Sequence, residues 1–97
     1  MKLLSIKPST NKDKKLMATF DNDRTIHFGA SGYMDYTKYY KQDPKLAKQK
    51  KDSYLARHRV NEDWNDVMSA GALSRWILWN KPTIEASVKD FKKKFDL

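Results

Sequence analysis

The amino-acid sequence predicts an α+β fold in which an N-terminal β-hairpin packs against about three helices. Apolar residues alternate with polar ones over residues 14–30, as they do in half-buried strands, and recur at helical spacing in the second half of the chain. The order is therefore strands first and helices afterwards. The 97 residues contain no internal repeat and no Gly/Ser linker, so residues 1–97 are expected to form one small domain.

The hairpin is predicted over about residues 16–30. The segment KKLMATF alternates apolar and polar positions, and TIHFGA resumes the alternation after DNDR, which is rich in turn-forming residues. The apolar segment LLSI near the N-terminus is expected to supply a third strand. The glycines of GASG then end the sheet region.

The first helix is predicted from Pro44 to about His58. Asp43 is suited to cap the free backbone amides, and a proline at the first helical position sacrifices no hydrogen bond. Most of this segment is charged, so we expect it to lie on the surface and to be anchored along one edge.

A second helix is predicted from a cap at Ser69 through Trp79, and it is apolar on nearly all sides, which is typical of a buried helix. Trp76 and Trp79 are three residues apart and are expected to project from nearly the same face. For both rings, a place in the core is favoured over a ligand-binding role. Pro82 should end this helix.

A third helix is predicted to begin after the capping residue Thr83. Its apolar positions Ile84, Val88, Phe91 and Phe95 form one continuous stripe, which should pack on the core.

The charge of the chain favours anionic partners. The net charge is +8, and residues 31–60 carry +5 of it, whereas residues 61–88 carry −2. Such an excess favours binding to nucleic acid, acidic protein surfaces or anionic lipid. No segment is long and apolar enough to be predicted as a membrane span.

The basic residues around the first helix are the candidate polyanion-binding surface. The spacing of its lysines predicts one almost continuously positive face that can follow a phosphate backbone. Because lysine dominates this face, we expect it to contact phosphates without distinguishing base sequence. The alternative to polyanion binding is that the helix is merely solvated and keeps the protein soluble. The predicted polyanion-binding residues are Lys41, Lys45, Lys48, Lys50, Lys51, Arg57 and Arg59, and the aromatic residues predicted to contact a partner are Tyr39, Tyr40, Trp64 and Trp79.

The sequence gives no support for catalysis, so the protein is expected not to be an enzyme. His58 precedes an acidic segment that contains Glu62, Asp63 and Asp66, but this spacing matches no metal-ligand motif. We therefore predict no catalytic residue, no metal and no cofactor. The chain contains no cysteine, which excludes disulfides and fits an intracellular protein.

Three blocks of sequence carry a resemblance to a known family: FGASGYMDYT (Phe28–Thr37), ARHRVNEDWND (Ala56–Asp66) and AGALSRWILWNKPTIEAS (Ala70–Ser87). They resemble a family of small basic proteins of unknown function encoded by large nucleocytoplasmic DNA viruses, including phycodnavirus-like and mimivirus-like ones. The resemblance spans about residues 16–95, and SRWILWNKPT is its most specific part. Members often carry a His-Lys-Asp stretch where this chain has KYYKQD, so any role of that histidine is absent here or taken by Tyr39 or Tyr40.

The resemblance implies a viral protein located in the virion and, during infection, inside the host cell. Two functions remain open. The first is a structural or accessory component of the particle, such as a minor capsid protein, whose basic helical face contacts other virion or capsid proteins. The alternative is a protein that coats or condenses double-stranded DNA without sequence specificity.

Overall fold

The structure, a computed structural model, describes all 97 residues, and residues 3–30 form a three-stranded antiparallel sheet. The strands are β1 (Leu3–Pro8), β2 (Lys14–Phe20) and β3 (Thr25–Ala30), paired in the order β1-β2-β3. The predicted hairpin and the third strand are therefore both confirmed. The α+β fold class is confirmed as well, because four helices follow the sheet.

The alternation of side chains places one face of the sheet in the core. Ala18 pairs with Ile26, and Leu16 pairs with Phe28, so their side chains share a face. On that face Ala18 and Phe28 are completely buried, while Leu16 and Ile26 pack against them from the margins.

Two helices follow the sheet, α1 (Tyr36–Gln42) and α2 (Pro44–His58). The bounds predicted for α2 are confirmed, and the Asp43 carboxylate accepts hydrogen bonds from the first amides of the helix, as its position before a proline suggests. Helix α1 was not predicted. It begins after Asp35, whose buried carboxylate accepts hydrogen bonds from the Thr37 and Lys38 amides.

The next helix changes its winding halfway along. Helix α3 (Ala70–Leu73), capped by the Ser69 hydroxyl, continues directly into a π-helical turn (Ser74–Leu78). The Trp79 amide donates to the Ser74 carbonyl five residues earlier, and the Trp79 backbone then leaves helical geometry. The predicted helix is therefore present over the expected residues, but its second half is wider than an α-helix.

The last helix is α4 (Ile84–Phe95), which begins after the Thr83 cap as predicted. Phe91 is completely buried, and Ile84, Val88 and Phe95 pack around the core, so the predicted apolar stripe is confirmed. None of the helices has the length and apolar character that crossing a membrane requires.

The core lies between the sheet, α3 with its π-turn, and α4, which confirms the expected packing of the hairpin on the second helix and on the apolar stripe. Its eight buried residues come from all of these elements: Leu3, Ala18, Phe20, Phe28, Leu73, Ile77, Leu78 and Phe91. Helices α1 and α2 lie beside this core. The space between them and the π-turn is where the candidate site forms.

Candidate functional site

The predicted cations of the first helix are mostly exposed, but they do not form one continuous face. The side of α2 that faces the protein carries the buried Ala47 and Tyr54 and the half-buried Lys51 and His58. Their spacing of four, three and four residues places them on one helical face. The other six members of the predicted set are exposed: Lys45, Lys48, Lys50 and Arg57 on α2, Lys41 on α1, and Arg59 at the C-terminal cap of α2.

The prediction that Lys51 belongs to the outward positive face is wrong. Its ammonium group donates to the Asn80 carbonyl at 2.8 Å and lies 4.8 Å from the centre of the Tyr36 ring. Burial, followed by the nearby charges of Arg75 and Lys81, lowers the pKa of Lys51 below its ordinary value. Lys51 therefore joins α2 to Asn80 in the segment before α4 and is less accessible than the other cations of the predicted set.

Few of the remaining cations are neutralised by neighbouring carboxylates. The structure contains three ion pairs, and only one of them, between Lys48 and Asp52 at 3.8 Å, involves a predicted polyanion-binding residue. Both side chains of that pair are largely exposed, so the interaction is weak. The other five exposed cations have no ion-pair partner and are free to bind an external anion: Lys41, Lys45, Lys50, Arg57 and Arg59.

A cleft of about 570 Å³ opens beside α2, bounded by the end of β3, the loop after it, α1 and the π-turn. We call it the aromatic cleft. Residues that matter for its chemistry are Lys14, Tyr33, Lys50, Tyr54, Arg57 and Trp79. Lys50 and Arg57 are seven residues apart, so they lie on the same flank of α2 and both line the cleft.

Stacked rings form one wall of the aromatic cleft. The Tyr54 ring stacks with the Trp79 ring at a centroid distance of 4.4 Å and with the His58 ring at 4.3 Å. Tyr39 approaches Trp79 at 6.3 Å in a tilted arrangement. This arrangement buries Tyr54 and raises the pKa of its hydroxyl to about 12, because burial and then the negative charge of Glu62 oppose ionisation.

The carboxylate of Glu62, held by hydrogen bonds, lines another side of the cleft. One oxygen of Glu62 is 3.2 Å from His58 Nδ1, and the other accepts from the Trp64 indole N–H at 3.0 Å. Gly71 makes room for this carboxylate, since a Cβ at that position would lie 2.8 Å from Glu62 Cδ. The acidic segment after His58 thus contributes a positioned side chain, although no group of three or more His, Asp or Glu side chains is arranged to hold a metal ion.

The aromatic residues predicted to contact a partner have different environments. Tyr39 and Trp79 both line the aromatic cleft, whereas Tyr40 is exposed and Trp64 is half-buried outside it. The polar groups of Trp64 are used within the protein, because its carbonyl also accepts from the Trp76 indole N–H at 2.8 Å. The structure therefore brings together two of these four residues, not all of them.

Trp76 and Trp79 do not share surroundings, contrary to the prediction that they project from nearly the same face. Trp76 packs edge-on against Phe95, on the α4 side of the core, as the preferred core interpretation predicts. Trp79 also packs against the core, as predicted, and it stacks on Tyr54 of α2 and lines the aromatic cleft. The π-helical turn between them adds a residue to the hydrogen-bonded ring and changes the angle between the two side chains.

Several residues of the site were not found from the sequence. Asp35 pairs with Lys15 at 2.9 Å beside the cleft, and both side chains are nearly inaccessible to solvent. Arg75 lies over the Trp76 ring at 4.3 Å, donates to the Trp79 carbonyl at 2.9 Å, and leaves its buried Nε without a partner. Burial lowers the pKa of Arg75. The motif FGASGYMD, with two glycines beside a lone aspartate, is the one signal that marks this region in the sequence.

Comparisons with known proteins give a family and nothing more specific. Neither the curated proteins nor the solved structures include a match to this chain. A family model does match, over residues 4–58, which comprise nearly all of β1 and the whole of β2, β3, α1 and α2. Because this match covers more than half of the 97 residues, the chain belongs to DUF5754, a family of unknown function.

Proposed function

We propose that this protein is a non-enzymatic accessory protein that binds double-stranded DNA through its phosphates, without reading base sequence. The observation that carries the proposal is the set of five exposed cations on α1, α2 and its C-terminal cap that have no ion-pair partner. A protein with a net charge of +8 and few internal ion pairs attracts a polyanion over a long range. The virion setting implied by the sequence resemblance is part of this proposal.

The chemistry of these side chains favours backbone contact over base recognition. Lysine is a flexible point charge, and each phosphate that it neutralises releases condensed counterions from the duplex. The bidentate contacts that distinguish bases come mainly from arginine, asparagine and glutamine in the major groove. The exposed set contains only two arginines. Arg57 lies in the last turn of α2 and lines the aromatic cleft, and Arg59 is the C-terminal cap residue of α2.

A second candidate is a structural component of a virus particle that contacts other capsid proteins. It is favoured by large apolar side chains that remain exposed, since Tyr33 and Val60 are each 73% accessible and Leu4 is 62% accessible. Each of the three offers a separate apolar contact, on β1, in the loop after β3 and after α2. In that setting the cations would contact acidic protein surfaces instead of phosphates.

A salt series on a labelled random-sequence duplex tests the proposal. If three to five phosphates are neutralised, log K should fall with log salt with a slope of about −2.7 to −4.5. A competition experiment with polyglutamate tests the second candidate, because an acidic polypeptide should displace DNA at comparable charge concentration only if the surface accepts carboxylates equally well. Absence of duplex binding even at low salt would contradict the DNA proposal.

A further inference from the structure

We propose that the aromatic cleft is a binding site for a single unstacked nucleotide, with the base against the aromatic wall and the phosphate on the basic rim. This goes beyond the proposed function, because the bases of an intact duplex are stacked inside the helix and cannot enter a cleft. The ligand chemistry is a planar heterocycle joined to a phosphate. It has two sources, a free nucleoside phosphate and an unpaired nucleotide in a single strand.

The size and the walls of the cleft suit such a ligand. Its volume of about 570 Å³ falls among those of small-molecule sites, which combine aromatic walls with a few polar groups. Tyr54 cannot be the stacking surface, since its ring already stacks with both Trp79 and His58. Of the other tyrosine and tryptophan rings that line the cleft, Tyr33 is 73% exposed, and Trp79 and Tyr39 are half-buried. Aromatic side chains with an accessible face stack on any base.

The charged side chains on the rim determine whether an anionic or a cationic ligand is favoured. Lys14, Lys50 and Arg57 line the cleft, are exposed, and have no ion-pair partner. The acidic groups of the cleft are already engaged, Asp35 with Lys15 and Glu62 with His58 and Trp64. The uncompensated charge of the cleft is therefore positive, which favours a ligand that carries a phosphate.

Polar groups inside the cleft can contact the sugar or the base edge. The hydroxyls of Ser53 and Ser74 line it, one from α2 and one from the π-turn. Hydroxyls both donate and accept hydrogen bonds, so they accommodate several bases. The proposed site therefore binds nucleotides broadly and selects for the combination of ring and phosphate.

The test is an NMR titration of the full chain with adenosine monophosphate, a short oligothymidylate, adenosine, and inorganic phosphate. Binding in the cleft should shift the Trp79 indole and the amides of Ser53 and Ser74, with saturation at millimolar mononucleotide or lower. Adenosine and phosphate alone should bind at least about tenfold more weakly, because each supplies only part of the contact. Shifts caused by both nucleotide ligands would indicate that a free nucleotide suffices, whereas shifts caused only by the oligonucleotide would assign the site to single strands.

Two matched variants locate the binding. Lys50→Gln with Arg57→Gln removes two rim cations, and Lys2→Gln with Arg24→Gln removes the same residue types outside both the cleft and the proposed DNA-binding surface. All four side chains are exposed, so neither variant should lose its fold. The rim variant should weaken nucleotide binding at least about tenfold and the control less than about twofold. Equal losses in both variants, or no saturable shift at the cleft with either nucleotide ligand, would overturn the proposal, even if the protein binds duplex DNA.

Discussion

The Trp79 ring lies flat on the Tyr54 ring, with an angle of 8° between their planes and 4.4 Å between their centroids. This contact joins the end of the π-turn to the middle of α2, two elements that are far apart in the sequence. It also builds the wall of the aromatic cleft. Trp79 thus packs on Tyr54 and against the core, and it also lines the proposed nucleotide site.

The buried Tyr54 hydroxyl should make stability pH-dependent in alkaline solution. Its pKa rises from the ordinary value of 10.0 to about 12 on folding, so the folded state keeps a proton that the unfolded state loses. Stabilisation from the neutral hydroxyl is therefore complete below pH 10 and is lost as the pH rises through about 12. Urea unfolding of the wild type and of Tyr54→Phe between these values measures the effect. The free energy of unfolding should fall more steeply for the wild type, and parallel curves would contradict the burial of this hydroxyl.

The close approach of Gly29 to Leu78 predicts a large difference between two glycine substitutions. Gly29 and Gly32 both have positive φ angles, +79° and +86°, which an L-residue adopts at a cost of about 1–2 kcal/mol. A Cβ at Gly29 would also lie 2.6 Å from Leu78 Cδ1, which is buried, whereas a Cβ at Gly32 would meet no atom within 4 Å. Gly29→Ala should therefore destabilise the protein by about 1–3 kcal/mol more than Gly32→Ala does. Equal unfolding free energies for the two variants would show that β3 does not pack closely on the π-turn.

The buried carboxylate of Asp35 should contribute more to the stability of the protein than the exposed carboxylate of Asp43, which also caps a helix. Asp35→Ala removes the cap of α1 and leaves the ammonium group of Lys15 without its partner, which should cost about 3–5 kcal/mol. Asp43→Ala removes the exposed cap of α2, which has no such partner, and should cost about 1 kcal/mol. Chemical denaturation of both variants tests the comparison. Similar losses of unfolding free energy in the two variants would mean that the Lys15–Asp35 ion pair contributes no stability beyond that of the helix cap.

Trp76 should be essential for the stability of the core. Trp76→Ala removes the contact with Phe95 and the hydrogen bond to the Trp64 carbonyl, and should cost about 3–5 kcal/mol. Trp76→Phe keeps an aromatic ring and loses mainly the hydrogen bond, so its cost should be nearer 1 kcal/mol. An unchanged melting temperature in the alanine variant would contradict the placement of Trp76 against the core.

The elements that were predicted correctly have local signals that tertiary contacts reinforce. The strands alternate because one face is buried, α2 begins at Asp43-Pro44, and α4 begins at Thr83 with a continuous apolar stripe. Helix α1 was missed because its cap, Asp35, is followed by tyrosines and polar residues without an apolar period. The π-turn was missed because one extra residue per turn leaves no mark in a segment that is apolar on nearly all sides.

The site was predictable only in part, because its buried and exposed positions use the same residue types. The inward face of α2 contains Lys51 and His58 beside Tyr54, and composition alone does not distinguish Lys51 from the exposed Lys48 and Lys50. Long side chains can place an apolar stem against the protein and still find a partner for the charge, as Lys51 does at the Asn80 carbonyl. The aromatic cleft was not predicted because it forms only when the strand end, two helices and the π-turn meet.

The most direct test of the proposed function is the duplex affinity of two charge-reversal variants with the same net charge. Lys45→Glu with Lys50→Glu reverses two of the unpaired cations on α2, and Lys2→Glu with Lys7→Glu changes exposed lysines at the N-terminal strand. The α2 variant should bind a random-sequence duplex at least about tenfold more weakly at low salt, with the salt slope reduced by about two, while the control loses much less. Equal losses in the two variants would show that only the overall charge attracts DNA, and would contradict a DNA-binding surface on α2.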